Sequence, residues 1–180
     1  PPTSEIYTLS LPDALPIFLS AREHGALIVM QRSDSLEEYA RTGVRMNAEV
    51  TPELLLQIFY PNTPLHDGAV IVSNNRIIAG SCVMPLSSSG ILTRSPERQM
   101  GLRHRAGLGT SEATDAITVV VSEETGSISI AHNGRMIRRL DSERLENILL
   151  AFYQPAEISM FKLKPMDWLK KILTVPKREE

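Results

Sequence analysis

The sequence has little of what several function classes require. It holds a single cysteine, Cys82, which excludes an internal disulfide and a zinc site built from several thiolates. One cysteine also agrees with a reducing, cytoplasmic setting. No apolar run reaches the roughly 20 residues that a membrane-spanning helix needs, so a soluble chain is expected. Positive charge is scarce as well: 19 Lys and Arg stand against 21 Asp and Glu, a formal net charge of −2. The basic field that drives nonspecific binding to DNA or RNA is therefore missing, and no nucleic-acid partner is expected. What is there is an ordinary globular balance, 42% hydrophobic and 22% charged over 180 residues. That is too apolar for disorder and enough for one compact domain.

The two ends differ from the middle. Pro1 to Ile17 carries prolines at 1, 2, 12 and 16, shows no amphipathic period and lacks the positive start of a signal peptide. It looks like the translated adapter leader of some fragmentary gene models, so residues 1–17 are expected to be non-native or disordered. Residues 18–153 read as the domain, and 154–180 as a separate tail. In that tail Met160, Phe161, Leu163, Trp168, Leu169, Ile172 and Leu173 alternate with Lys162, Lys164, Lys170 and Lys171. Two readings stay open: a basic amphipathic segment for a membrane surface or partner, and a terminal helix packed on the domain.

Between the ends, strands and helices interleave. Ala26–Met30 and Ala116–Ser122 are apolar runs of the buried-strand type. Thr51 and Pro52 predict a helix start, followed by the stripe Leu54, Leu55, Ile58 and Phe59. Asn74-Asn75 and Asn133-Gly134 are turn pairs between strand-like runs, which predicts two hairpins. A segment within 101–115 reads as partly helical. Asp141 or Ser142 caps a last amphipathic helix with Leu145, Ile148, Leu149 and Phe152 on one side. The expected fold is α/β (α+β): a single domain with a mixed parallel and antiparallel central sheet flanked by helices.

Three short stretches hold groups with chemistry. His66-Asp67-Gly68 stands where a proline-rich loop becomes a buried strand, offering nitrogen and oxygen ligands beside a glycine that lets substrate approach the backbone. Arg103-His104-Arg105 supplies two guanidinium groups suited to phosphate oxygens. Residues i and i+2 do not share a helix face, so one arginine is expected to face substrate and the other a structural carboxylate. Ser122-Glu123-Glu124-Thr125-Gly126 follows a buried strand, where a glutamate can complete a metal shell. Taken singly, these read more simply as a turn, a solvated basic loop and a polar loop. Cys82 reads as a small buried residue, and His24 and His132 as surface or structural residues.

Together they resemble the diadenylate cyclase family. The stretches 61–69, 101–105 and 121–126 occur in that family's order and approximate spacing, and the resemblance runs from Gly25 to Phe152. It is closer to the membrane-anchored type than to the DNA-scanning type, whose long C-terminal extension has no counterpart here. The resemblance implies condensation of two ATP molecules into cyclic di-AMP with release of two pyrophosphates, across two active sites facing each other in a homodimer. It implies catalytic roles for Asp67 and Arg103, and ATP contacts from Gly68, Ala69, Met84, Arg103, His104, Arg105 and Ser122. It also implies a divalent cation, Mn²⁺, Mg²⁺ or Co²⁺, on His66, Asp67 and Glu124. Two departures concern the substrate rim: Leu102 stands where many members have threonine, and the loop between Pro85 and Gly101 is a few residues longer. The transmembrane helices of that type, and the helix before its first strand, are expected to be missing, leaving the tail or an absent N-terminal anchor as the only route to a membrane.

Overall fold

In the computed structural model, which describes residues 11–88 and 100–153, the apolar runs become the centre of one sheet. β1 (Ala26–Met30) and β5 (Ile117–Val121) are buried at every position, as strands covered on both faces must be. They pair antiparallel, with Ala26 opposite Val121 and Met30 opposite Ile117. On its other side β1 pairs in parallel with β3 (Ala69–Ser73), Ile28 opposite Val70. β2 (Val44–Glu49) and β4 (Arg76–Cys82) extend the sheet beyond β3, and β6 (Ile128–His132) and β7 (Arg135–Leu140) extend it beyond β5. The order is β2-β4-β3-β1-β5-β6-β7. Every neighbouring pair except β1 and β3 is antiparallel. The mixed sheet expected from the sequence is present.

Both asparagine turns form hairpins. Asn74 and Asn75 have φ of 49° and 59°, and Asn133 and Gly134 have 50° and 68°. That left-handed pair matches the twist of the flanking strands. Alternation along the strands then divides the core in two. Ile28, Met30, Val119 and Val121 face α1 (Leu11–Ser20), α3 (Pro52–Ile58) and α5 (Ser142–Tyr153). Leu27, Val29, Ile71 and Val120 face α4 (Leu102–Ala113) and the single turn α2 (Glu37–Ala40). Thr51 caps α3 by accepting the Leu54 N–H at 3.2 Å. Of the two candidates at the last helix, Asp141 is the cap, its Oδ1 accepting the Arg144 N–H at 2.8 Å.

Three sequence expectations change. Residues 11–17 of the expected leader belong to α1, with Pro16 buried and Ile17 against the core, so the boundary at 17/18 falls inside a helix. That helix stands directly before β1, the place where one was expected to be missing. β2 and α2 carry no sequence signal: β2 is an edge strand exposed or half-exposed throughout, with a register shift at Arg45 and Ala48, and α2 is one turn long. Residues 1–10, the tail 154–180 and positions 89–99 of the lengthened loop lie outside the described residues.

Candidate active site

The topology gathers segments far apart in sequence. β1 and β3 run parallel and β5 runs against them, so the residues before β1, the loop before β3 and the turn after β5 emerge at one end of the sheet. β4 also ends there, since Ala69 pairs with Cys82. The first turn of α4 reaches the same end.

The loop before β3 is held by its own hydrogen bonds. Thr63 Oγ1 donates to the Tyr60 carbonyl at 2.9 Å, and the Thr63 carbonyl accepts the His66 N–H at 3.3 Å. His66 Nδ1 meets that same carbonyl at 2.5 Å. A carbonyl can only accept, so Nδ1 carries a proton and Nε2 is the ring nitrogen left for a ligand. The Asp67 carbonyl accepts from Ser81 Oγ at 2.7 Å. Its carboxylate is exposed and has no hydrogen bond or ion pair among the described residues. Gly68 has φ of +102°, and a Cβ there would lie 2.7 Å from the Ser81 carbonyl carbon and 2.9 Å from the Cys82 carbonyl oxygen. Conformation and space both demand glycine.

Arg103 joins this loop to the turn after β5. Its Nη1 donates to Glu123 Oε2 at 2.5 Å and its Nη2 to the His66 carbonyl at 3.2 Å. Its Nε is buried with no hydrogen-bond partner among the described residues. Gly25 makes room for the pair, because a Cβ there would sit 2.8 Å from both Arg103 Nη1 and Glu123 Cβ. The two arginines diverge, but the carboxylate partner, Glu123, falls to Arg103 and not to Arg105. Arg105 ties α4 to the residues after β4: its Nε donates to the Ser87 carbonyl at 3.3 Å, and Ser87 N–H returns a bond to the Arg105 carbonyl at 3.0 Å. His104 faces the sheet, with Nε2 3.4 Å from Ser129 Oγ. Burial, with the Arg138 charge adding to it, holds its pKa below the usual histidine value. Arg103 therefore reaches the loop, whereas His104 and Arg105 turn away from it.

The remaining expected residues fall at the same end. Ala69 opens β3 and is fully buried, Met84 is buried just beyond β4, and Ser122 Oγ accepts the Glu124 N–H at 3.3 Å. Glu124 itself is exposed. The expected cation cage does not fit one chain: among the described residues, no three His, Cys, Asp or Glu side chains come together closely enough to hold an ion. Cys82 is no nucleophile, since burial pushes its thiol up to about 11 and leaves it protonated at neutral pH. Glu123, Gly25 and Ser81 escaped the sequence reading. Gly25, placed directly before a buried strand, was the one with a usable signal. Choosing Glu123 over Glu124 as the partner of Arg103 required the fold.

Residues 17–136 match the family described as DisA bacterial checkpoint controller nucleotide-binding, abbreviated DAC. The chain is 46% identical over 137 residues to the cyclic di-AMP synthase CdaA of Bacillus subtilis, covering 76% of this chain and 49% of that protein. It is 47% identical over 133 residues to a diadenylate cyclase of Listeria monocytogenes, covering 74% of this chain and 47% of the relative. The chain thus spans about half the length of these curated relatives. Among solved structures it resembles a double mutant of DacA from Staphylococcus aureus, at a TM-score of 0.74 and 37% identity over 82% of this chain and 95% of that one. A hypothetical membrane spanning protein from Bacillus cereus matches with a TM-score of 0.67 and 46% identity, over 75% of this chain and 64% of that one.

Proposed function

The chain belongs to the diadenylate cyclase (DAC) family, and on that premise we propose that it condenses two ATP molecules into cyclic di-AMP and two pyrophosphates. The observation that carries this reading is Arg103, which ties the His66 carbonyl to Glu123 and so brings three distant motifs to one end of the sheet.

Asp67 is the group for the proton. Its carboxylate is exposed and uncommitted among the described residues, and it stands on a loop fixed by Ser81 and by the glycine at 68. In each half-reaction a 3′-hydroxyl loses its proton to Asp67 while its oxygen bonds to the α-phosphorus of the other nucleotide. The bond from that phosphorus to the bridging oxygen breaks, and pyrophosphate leaves. Such a displacement needs alignment and charge compensation more than covalent help. Arg103 supplies a fixed positive charge for phosphate, with Gly68, Ala69, Met84 and Ser122 lining the nucleotide. Arg105 and His104 anchor the helix that carries Arg103.

Since one chain holds one set of these groups and the product joins two nucleotides symmetrically, the working unit is a two-fold homodimer. A divalent cation (manganese, magnesium or cobalt) would offset phosphate charge and would take phosphate oxygens as ligands, with His66 and Glu124 as the side chains nearest that role. A cytoplasmic face of a membrane is the proposed location, in keeping with the relative described as membrane spanning.

Incubation with ATP and each metal in turn, followed by mass spectrometry, should give cyclic di-AMP. Asp67→Asn should reduce turnover by at least about 100-fold, the scale of general-base catalysis, without lowering the melting temperature. Full activity in that variant would remove Asp67 from its role. Tight ATP binding with no product under any metal would favour a nucleotide-sensing module instead.

A further inference from the structure

Two site loops carry the chemistry, and both are held from behind by the same short turn. α1 ends at Ser20, and the chain turns through Glu23, whose φ is 54°, into Gly25 and β1. Ser20 Oγ donates to the Gly126 carbonyl at 2.6 Å. Gly126 has φ of +63°, and a Cβ there would lie 2.7 Å from the Ser20 carbonyl oxygen, so the two backbones touch. Gly126 N–H bonds in turn to the Ser122 carbonyl at 2.9 Å, closing the turn that bears Ser122, Glu123 and Glu124. Four residues after Ser20, the His24 ring stands edge-on to Tyr60, with centroids 5.6 Å apart. Tyr60 holds Thr63 through its carbonyl, and Thr63 holds His66. His24 Nδ1 is buried and has no hydrogen-bond partner among the described residues, so the ring contact with Tyr60 is not supported by a hydrogen bond from that nitrogen. Next to it, Gly25 seats the Arg103–Glu123 pair. The turn and the loop are thus linked twice, in front through Arg103 and behind through residues 20–25.

We propose that Ser20 and His24 are positioning residues: the Ser20–Gly25 turn is a strap that sets the spacing between the His66–Asp67 loop and the 122–126 turn, and thereby the alignment of the reacting nucleotide. The proposal rests on the cyclase reading for its kinetic consequence, but its structural consequence can be read without turnover. Removing the Ser20 hydroxyl frees the Gly126 carbonyl. The turn then shifts, and because Arg103 bridges the two, the loop shifts with it although Ser20 does not touch that loop.

The test compares the wild-type chain with Ser20→Ala, Ser20→Thr and His24→Leu. Hydrogen exchange in the ATP-free protein should quicken in Ser20→Ala at both 65–68 and 122–126, while the β6–β7 hairpin keeps its rate. With ATP present, kcat per nucleotide-binding protomer should fall about 10-fold in Ser20→Ala and His24→Leu with KM changed less than about 2-fold, as expected for lost alignment rather than lost contact. Ser20→Thr keeps the hydroxyl and should restore both exchange and rate. Faster exchange confined to 122–126, or spread evenly over the domain, would overturn the strap. So would an unchanged kcat in Ser20→Ala. A wild-type chain that binds ATP and makes no product would refute the cyclase reading alone, and exchange at 65–68 would still decide the strap.

Discussion

α4 and α5 are both 12-residue helices on the same sheet, yet they are held by opposite means. α5 has an apolar stripe, with Leu145 and Leu149 fully buried. α4 reads LRHRAGLGTSEA and has almost no apolar face, but Ala106 to Ser111 are buried without a break. Small residues bring it close. A Cβ on Gly107 would meet Val120 at 2.8 Å, and one on Gly109 would meet the Pro85 carbonyl oxygen at 2.3 Å. Thr118 Oγ1 donates to the Gly107 carbonyl at 3.0 Å. A helix seated on leucines can slide within soft contacts, whereas one whose glycines leave no room against the Val120 side chain and the 85–87 backbone cannot. The helix that carries Arg103 is the one fixed in the second way. Stability and positioning are thereby divided between the two helices.

That division can be broken from either side. Leu149→Ala should cost about 2–5 kcal/mol of unfolding free energy through the cavity it leaves, measured by denaturant titration, while the folded fraction keeps its kcat. Gly109→Ala should cost about 1–3 kcal/mol through overpacking, and kcat should fall further than stability because Arg103 moves with the helix. If Gly109→Ala lost only stability, the contrast between the helices would fail. Asp141→Ala removes the cap of α5 and should cost about 1 kcal/mol with no effect on turnover.

The smallest effect is the dependence on pH from His104. Its folded pKa lies below the ordinary value, so the unfolded chain takes up a proton first as pH falls. Stability from this group is complete above the ordinary histidine value and declines as pH falls through the lowered one. Melting temperatures measured from pH 7.5 down to about 5 should therefore drop less in His104→Gln than in the wild type. An equal drop in both would remove His104 from the account.

The elements that were legible in the sequence are those whose signal is local. The runs in β1 and β5, the turn pairs 74–75 and 133–134, and the Thr51 and Asp141 caps each depend on a few adjacent residues. α4 was only half legible, because a helix packed through glycine and serine leaves no stripe to read. β2 stayed hidden because an exposed edge strand needs no buried run. At the site, His66, Asp67, Gly68 and Arg103 were found as motifs, but Glu123, Gly25 and the strap at Ser20 and His24 were not. Their significance lies in contacts across 20 to more than 100 positions of chain.

By itself the sequence determined which segments are the buried strands, where the two hairpins turn, and which side chains have acid–base or phosphate-binding chemistry, because those properties belong to residues and their neighbours. Only the tertiary structure decided which end of the sheet they share, that one arginine of the pair faces the loop while the other is a tether, and that three ligand-type residues of one chain do not form a cage. Strand direction and register determine all of these. Reversing β5 relative to β1 would leave every motif intact and carry the 122–126 turn to the far end of the sheet.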